Sequence, residues 1–183
     1  EFASGGWPAC KDNDGNLNTY QWDMGDLPTI WPFERMEQIR PLKAQYNDMY
    51  VDSGGPGYRR GGLGLKRMWE VTAPTGAISV LTSDAILPRP GMSMGYGGAL
   101  NSITAQRDGK ELTMSDIPGK VGGFPLQQGD QIITLSSGGG GYGDPLTRPV
   151  EWVKDDIESG YISIAGAHAD YGVVITDHEV DTQ

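Results

Sequence analysis

Gln128-Gly129-Asp130-Gln131-Ile132-Ile133-Thr134-Leu135-Ser136-Ser137-Gly138-Gly139-Gly140-Gly141-Tyr142-Gly143-Asp144-Pro145 holds the two signals that decide the fold. A Gln-Gly-Asp turn leads into Gln131–Leu135, a short apolar, β-branched run that reads as a strand. That strand runs straight into four consecutive glycines. Two common nucleotide folds do not fit here. A P-loop needs Lys-Ser/Thr after its second glycine, where this chain has Tyr142-Gly143-Asp144-Pro145. A dinucleotide fold needs a helix opening directly on the glycines, and Pro145 intervenes.

The upstream chain repeats the pattern of strand and glycine break. Residues 42–51, with Tyr46, Tyr50 and Val51, end at Gly54-Gly55-Pro56-Gly57. Leu65–Val71 reads as a strand, and Pro74-Thr75-Gly76 ahead of residues 77–81 predicts a hairpin between the two. Residues 84–101 read as an irregular loop. Asp108-Gly109 predicts a tight hairpin turn before Lys110-Glu111-Leu112. Downstream, Pro149 suits a helix start, Val150, Val153 and Ile157 share a helical face, and Gly160 ends the helix. A second short helix is expected over 163–170, ended by Gly172, with Val173-Val174-Ile175 returning as a strand. The fold class is therefore mainly β (α+β): an antiparallel β-rich domain with glycine-rich loops and a small C-terminal helical segment. Residues 1–40 read as an irregular aromatic and polar segment, and residues 41–183 as the β-rich domain. Trp22, Trp31 and Phe33 are expected to cover a core edge or meet another chain.

Composition narrows the function. Glycine (28) and proline (12) make up more than a fifth of the 183 residues, yet five Trp and eight Tyr argue for a folded chain. A net charge of −10 disfavours nucleic acid, which needs a basic surface. No apolar run approaches the length of a membrane span. Cys10 is alone and reads as an inert thiol, and with only His168 and His178 a zinc site within the chain is not expected. Asp12-Asn13-Asp14-Gly15 has the residues of a tight turn; Leu17 stands where a calcium loop needs glycine.

Two glycine-dense stretches carry the candidate site: Gly138 to Pro145, and Asp52-Ser53-Gly54-Gly55-Pro56-Gly57-Tyr58-Arg59-Arg60-Gly61-Gly62-Leu63-Gly64. Successive amides at Gly139, Gly140, Gly141 and Tyr142, with Asp144 beside them, could form a concave anion site. The alternative is that both stretches are tight loops packed against neighbouring backbone. Arg59 and Arg60 could hold a carboxylate or phosphate oxygen, or either could pair with Asp52 and pin the loop.

Taken in order, these blocks resemble the hydantoinase B/oxoprolinase family. The resemblance rests on Asp52 to Gly57 followed by Arg60 to Gly64, then Pro118-Gly119-Lys120-Val121 leading to Gln128-Gly129-Asp130. It continues through Gly138 to Pro145, then Gly160-Tyr161-Ile162-Ser163 and Asp170-Tyr171-Gly172-Val173-Val174. It implies the C-terminal part of a B-type subunit, with residues 1–40 packing on other chains or on the remaining N-terminal part of that subunit. Family members work with an ATP-binding A-type subunit, or as one fused chain. They hydrolyse cyclic amides of the hydantoin, oxoproline and lactam kinds, or carboxylate acetone and acetophenone. ATP phosphorylates an amide or enol oxygen and so creates a leaving group. The resemblance implies that ATP and a divalent metal are bound outside this chain, and none within it. It also implies a cytoplasmic complex in which this chain alone is inactive; no catalytic residue is assigned. Low core content predicts that the chain is unstable when expressed alone.

Overall fold

The computed structural model describes residues 5–19, 32–176 and 179–182; Trp22, Trp31 and His178 lie outside them. The main sheet has five antiparallel strands in the order β1-β2-β7-β4-β5. These are β1 (Leu42–Met49), β2 (Leu65–Val71), β4 (Ser102–Arg107), β5 (Lys110–Leu112) and β7 (Gln131–Leu135). Their register places Ala44, Trp69, Ile132, Ala105 and Leu112 opposite one another in a single row. All five belong to the same apolar cluster. Strand alternation explains the row, because every second residue of β2 faces the core and is buried.

A second layer covers that face. β3 (Thr75–Leu81) and β6 (Lys120–Gln127) form a two-stranded antiparallel ribbon, from which Leu126, Ile78 and Phe124 pack on the cluster. The hairpin expected between β2 and β3 is therefore corrected. The chain does turn near Pro74, but β2 already has β1 and β7 on its two edges, so β3 leaves the sheet and pairs with β6. The turn residues fixed where the strand stops, and the edges already occupied fixed its partner. The Asp108-Gly109 hairpin forms as expected: both residues have positive φ (51° and 73°) between β4 and β5.

The 84–101 segment is irregular, as expected. Within the segment read as irregular, α1 (Phe33–Ile39) is a short helix. Its Phe33 and Met36, one turn apart, pack on the core, and Phe33 meets Trp69 edge-on at 4.6 Å. After β7 come a 3-10 turn at Pro145–Thr147, α2 (Val150–Glu158) and α3 (Ile164–Tyr171). Ser163 caps α3 through its side chain, and Gly172 ends it at φ 67°. Val153, Ile162, Ala167, Tyr171 and Val173 form a second apolar cluster. β8 (Val173–Thr176) pairs with β9 (Glu179–Thr182).

Residues 137–142 pack largely through main chain. Along residues 137–142 the backbone partners recur every third residue. The carbonyls of Ser137 and Gly140 accept from Gly6 and Ala9, at 2.9 and 2.8 Å. The amides of Gly138 and Gly141 donate to Ala99 and Tyr96, at 3.2 and 2.9 Å. The carbonyls of Gly139 and Tyr142 accept from Gly55 and Arg59, at 2.8 and 2.9 Å. A β-strand addresses its neighbours with a period of two, whereas a period of three is that of polyproline II. The row is thus enclosed by three other segments, around residues 5–9, 53–62 and 90–99. A Cβ on Gly138, Gly139, Gly140 or Gly141 would lie 1.7, 1.9, 2.0 or 2.2 Å from a carbonyl oxygen of Ser53, Trp7, Pro90 or Pro56. None of the four has positive φ, so glycine is needed here for close approach and not for left-handed backbone.

Candidate functional site

The hydrogen bonds of this bundle bear on the two readings of the glycines. The amides of Gly138, Gly139 and Gly141 donate to Ala99, Gly62 and Tyr96, and that of Tyr142 donates to Arg59. Those four donors are engaged by the chain itself, so at Gly139, Gly141 and Tyr142 the row packs against backbone and offers no amide to an anion. Asp144 is also engaged: its Oδ1 accepts from the amide of Leu146 at 3.0 Å and caps the 3-10 turn.

Asp52 and the two arginines are not brought together as a pair. Asp52, in left-handed backbone at φ 61°, accepts from the amide of Ser163 at the start of α3, at 2.8 Å. Arg60 turns away and is buried against Asp156 of α2, donating from Nε and Nη2 at 3.2 Å each. The Asp52–Arg pair foreseen from the sequence does not form; Arg60 pairs with Asp156 of α2.

Asp156 is shared. Arg148 Nη2 donates to it at 2.7 Å, and the same guanidinium donates to both carboxylate oxygens of Asp14 at 2.9 Å each. Asp14 also accepts from the Arg60 amide at 2.9 Å. Asp14, Arg148, Asp156 and Arg60 thus form an alternating, neutral chain that ties the first segment, the glycine bundle and α2 together. Burial alone pushes the Asp14 carboxyl up. Its hydrogen bonds and charge contact with Arg148, and the Arg60 amide, outweigh that and hold it below the usual carboxylate range. Burial works against the Arg148 charge, but Asp14 and Asp156 leave it more strongly protonated than usual. Tyr171 lies close enough to feel these charges, and burial pushes its hydroxyl well up, so it is not a base at neutral pH.

Arg59 stands apart from this network. Its backbone is clamped by reciprocal hydrogen bonds with Tyr142, 2.9 Å each way. Its guanidinium carbon lies 4.5 Å from the Trp152 ring centre and 5.4 Å from that of Tyr58. Its Nε is buried and has no acceptor.

Two further features were not foreseen in the sequence. Asp130, read only as a turn residue, is fully buried and accepts from Arg107 Nε and Nη2 at 2.7 and 2.8 Å and from the Gln127 amide. Hydrogen bonding from Arg107 holds its carboxyl low. Asp156 did leave a signal: it lies three residues after Val153 and one before Ile157, so an acid sits on the apolar face of α2. An acid there demands a buried partner. A cavity of about 430 Å³ lies between the five-stranded sheet and the β3–β6 ribbon, lined largely by apolar groups including Trp69, Val71, Ile78, Leu126 and Ile132. Among the described residues, no group of three or more His, Cys, Asp or Glu is placed to hold a metal ion, and no helix is long and apolar enough to cross a membrane.

A β-rich body organised around a glycine-rich bundle, fastened by a buried Asp–Arg chain, is the architecture these residues define. The chain belongs to the hydantoinase B/oxoprolinase family, whose model matches residues 1–145. It is 33% identical over 180 residues to the caprolactamase subunit beta of Pseudomonas jessenii, covering 94% of this chain and 28% of that one. The solved ATP-dependent caprolactamase from Pseudomonas jessenii aligns with a TM-score of 0.72 and 26% identity, over 96% of this chain and 31% of that chain. Nucleotide-free acetone carboxylase aligns with a TM-score of 0.74 at 24% identity, over 98% of this chain and 28% of that chain, a likeness of fold. The chain spans about three tenths of the length of these proteins or less. The mainly antiparallel fold with a small helical C-terminal part stands as the sequence indicated.

Proposed function

We propose that this chain is part of a B-type subunit of an ATP-dependent cyclic amide hydrolase of the hydantoinase, oxoprolinase or lactamase kind, working in the cytoplasm with an ATP-binding A-type subunit. The observation that carries this reading is the likeness to a caprolactamase beta subunit across 94% of the chain. The chemistry gives ATP a reason. A ring amide is a poor electrophile, and phosphorylating its oxygen creates a leaving group. Amide and ATP hydrolysis then each consume one water, giving an amino carboxylate, ADP and phosphate. In this proposal ATP and a divalent metal sit outside the chain, together with the catalytic groups, and the chain alone turns nothing over. Of the residues singled out from the sequence, Asp52, Arg60, Tyr142, Asp144 and Gly139 to Gly141 hold the framework, and Arg59 is left to meet a ligand.

A ketone carboxylase is the second reading, favoured by the fold shared with acetone carboxylase. A structural subunit without catalytic residues is the third, favoured by the internal use of the motif amides. One assay separates them: ATP hydrolysis by the purified complex with a lactam or imide added, then with a ketone and bicarbonate. Stimulation by the lactam or imide supports the hydrolase, and stimulation by ketone plus bicarbonate the carboxylase. ATP hydrolysis by this chain without a companion overturns the proposal.

A further inference from the structure

We propose that Arg59, walled by Trp152 and Tyr58, is the anchor of a carboxylate-binding site on the rim of the glycine bundle. This inference rests on the reading of the chain as part of an amide hydrolase or ketone carboxylase. The contrast with other arginines is what points to it. Arg60, Arg89, Arg107 and Arg148 each donate to an aspartate. Arg59 is only partly exposed, yet among the described residues it has no carboxylate partner and its buried Nε has no acceptor. The two aspartates of the neighbouring network are already engaged by Arg60 and Arg148. A positive charge is therefore held without a counter-ion at a fixed place in a chain of net charge −10.

The fork is also held in position before any ligand arrives. Reciprocal backbone bonds with Tyr142 fix Arg59, the Tyr58 amide donates to the Gly143 carbonyl at 3.2 Å, and the two rings pack 5.6 Å apart. Preorganisation of this kind lowers the entropic cost of binding. A guanidinium against aromatic rings offers a planar edge, and a planar carboxylate matches it with two parallel hydrogen bonds. A phosphate, with more charge to neutralise, calls for a second uncommitted cation, and nearby Arg148 is already shared between two aspartates. The proposed reactions supply the ligand class. Opening a lactam converts its carbonyl into a carboxylate and frees the amine, and carboxylating a ketone adds a carboxylate to carbon. In both, the product carries one carboxylate more than the substrate.

Titration calorimetry tests the site on the protein in the assembly in which it purifies, with 6-aminohexanoate, acetoacetate and inorganic phosphate as probes. Binding in about the millimolar range is expected for the two carboxylates and weaker binding for phosphate. Arg59→Gln is expected to weaken the carboxylates at least tenfold. Arg59→Lys, which keeps the charge and loses the fork, should fall between. Arg35→Gln on the exposed side of α1 should change nothing, and unchanged melting of the Arg59 variants shows that folding is intact. If the small carboxylates do not bind but Arg59→Gln sheds a companion chain that Arg59→Lys partly retains, the carboxylate is a side chain of that companion. Equal binding by wild type and Arg59→Gln, or neither effect, overturns the proposal. Arg59-dependent binding without lactam- or ketone-stimulated ATP hydrolysis would sink the functional reading and leave the site standing.

Discussion

In the five-stranded sheet, cohesion comes from side chains: Ala44, Trp69, Ile132, Ala105 and Leu112 lie in one row across five strands. In the glycine bundle it comes mostly from main chain, with residues 137–142 enclosed by three segments that reach them at hydrogen-bonding distance and few side-chain bonds, such as that from the Ser137 amide to Asn101. The two regions should therefore fail differently. A sheet core tolerates a lost or added methyl by local relaxation, because side chains have rotamers to adjust. A bundle of bare backbone has none. The difference also fits a chain with only 37% hydrophobic residues: part of its interior is filled by peptide groups that hydrogen-bond one another.

The largest expected effect follows from that contrast. Gly139→Ala sets a Cβ 1.9 Å from the Trp7 carbonyl oxygen and should cost on the order of 4 kcal/mol or more, seen as loss of cooperative melting. Gly122→Ala in β6, where nothing lies within 4 Å, should stay within about 0.5 kcal/mol of wild type. Equal tolerance of both would break the comparison. Asp156→Ala comes next, because it strips two buried arginines of their shared carboxylate; a loss of about 3–5 kcal/mol in denaturant unfolding is expected. Ile132→Val in the sheet row should cost only about 0.5–1.5 kcal/mol.

Acid gives a smaller, graded effect. Asp14 and Asp130 have folded pKa values below their ordinary 3.8. The stability they contribute is complete above about pH 3.8 and is lost as pH falls through their lower folded values. Melting followed against pH should show that loss in wild type and a shallower one in Asp130→Asn, where the Arg107 pair is gone. Asp170 shifts the other way: burial, then the Asp52 charge, raises its pKa. Its protonation on acidification therefore offsets a little of the loss.

The sequence was informative wherever a local rule decides the structure. Pro149, Gly160, Ser163 and Gly172 marked α2 and α3, and Asp108-Gly109 marked its hairpin, because caps and tight turns depend on a few adjacent residues. Strand partnership was not legible in the same way: β3 pairs with β6 because both edges of β2 are filled, a fact about distant segments. The candidate site divides along the same line. Arg59 and Tyr142 were both singled out and are bridged. Asp14, Arg148 and Trp152, drawn from segments up to 134 residues apart in the chain, carried no local mark. The glycine run was visible at once, but its use depended on whether neighbouring carbonyls reached it, which only the tertiary structure supplies.

Amide hydrogen exchange read at single residues tests the central claim most directly. If the bundle is a hydrogen-bonded core, the amides of Gly139 and Gly141 exchange as slowly as those of Ile132 and Ile133 in β7, and all four open together under mild denaturant. Exchange of the two glycine amides at the rate of an exposed loop, while β7 stays protected, would contradict it.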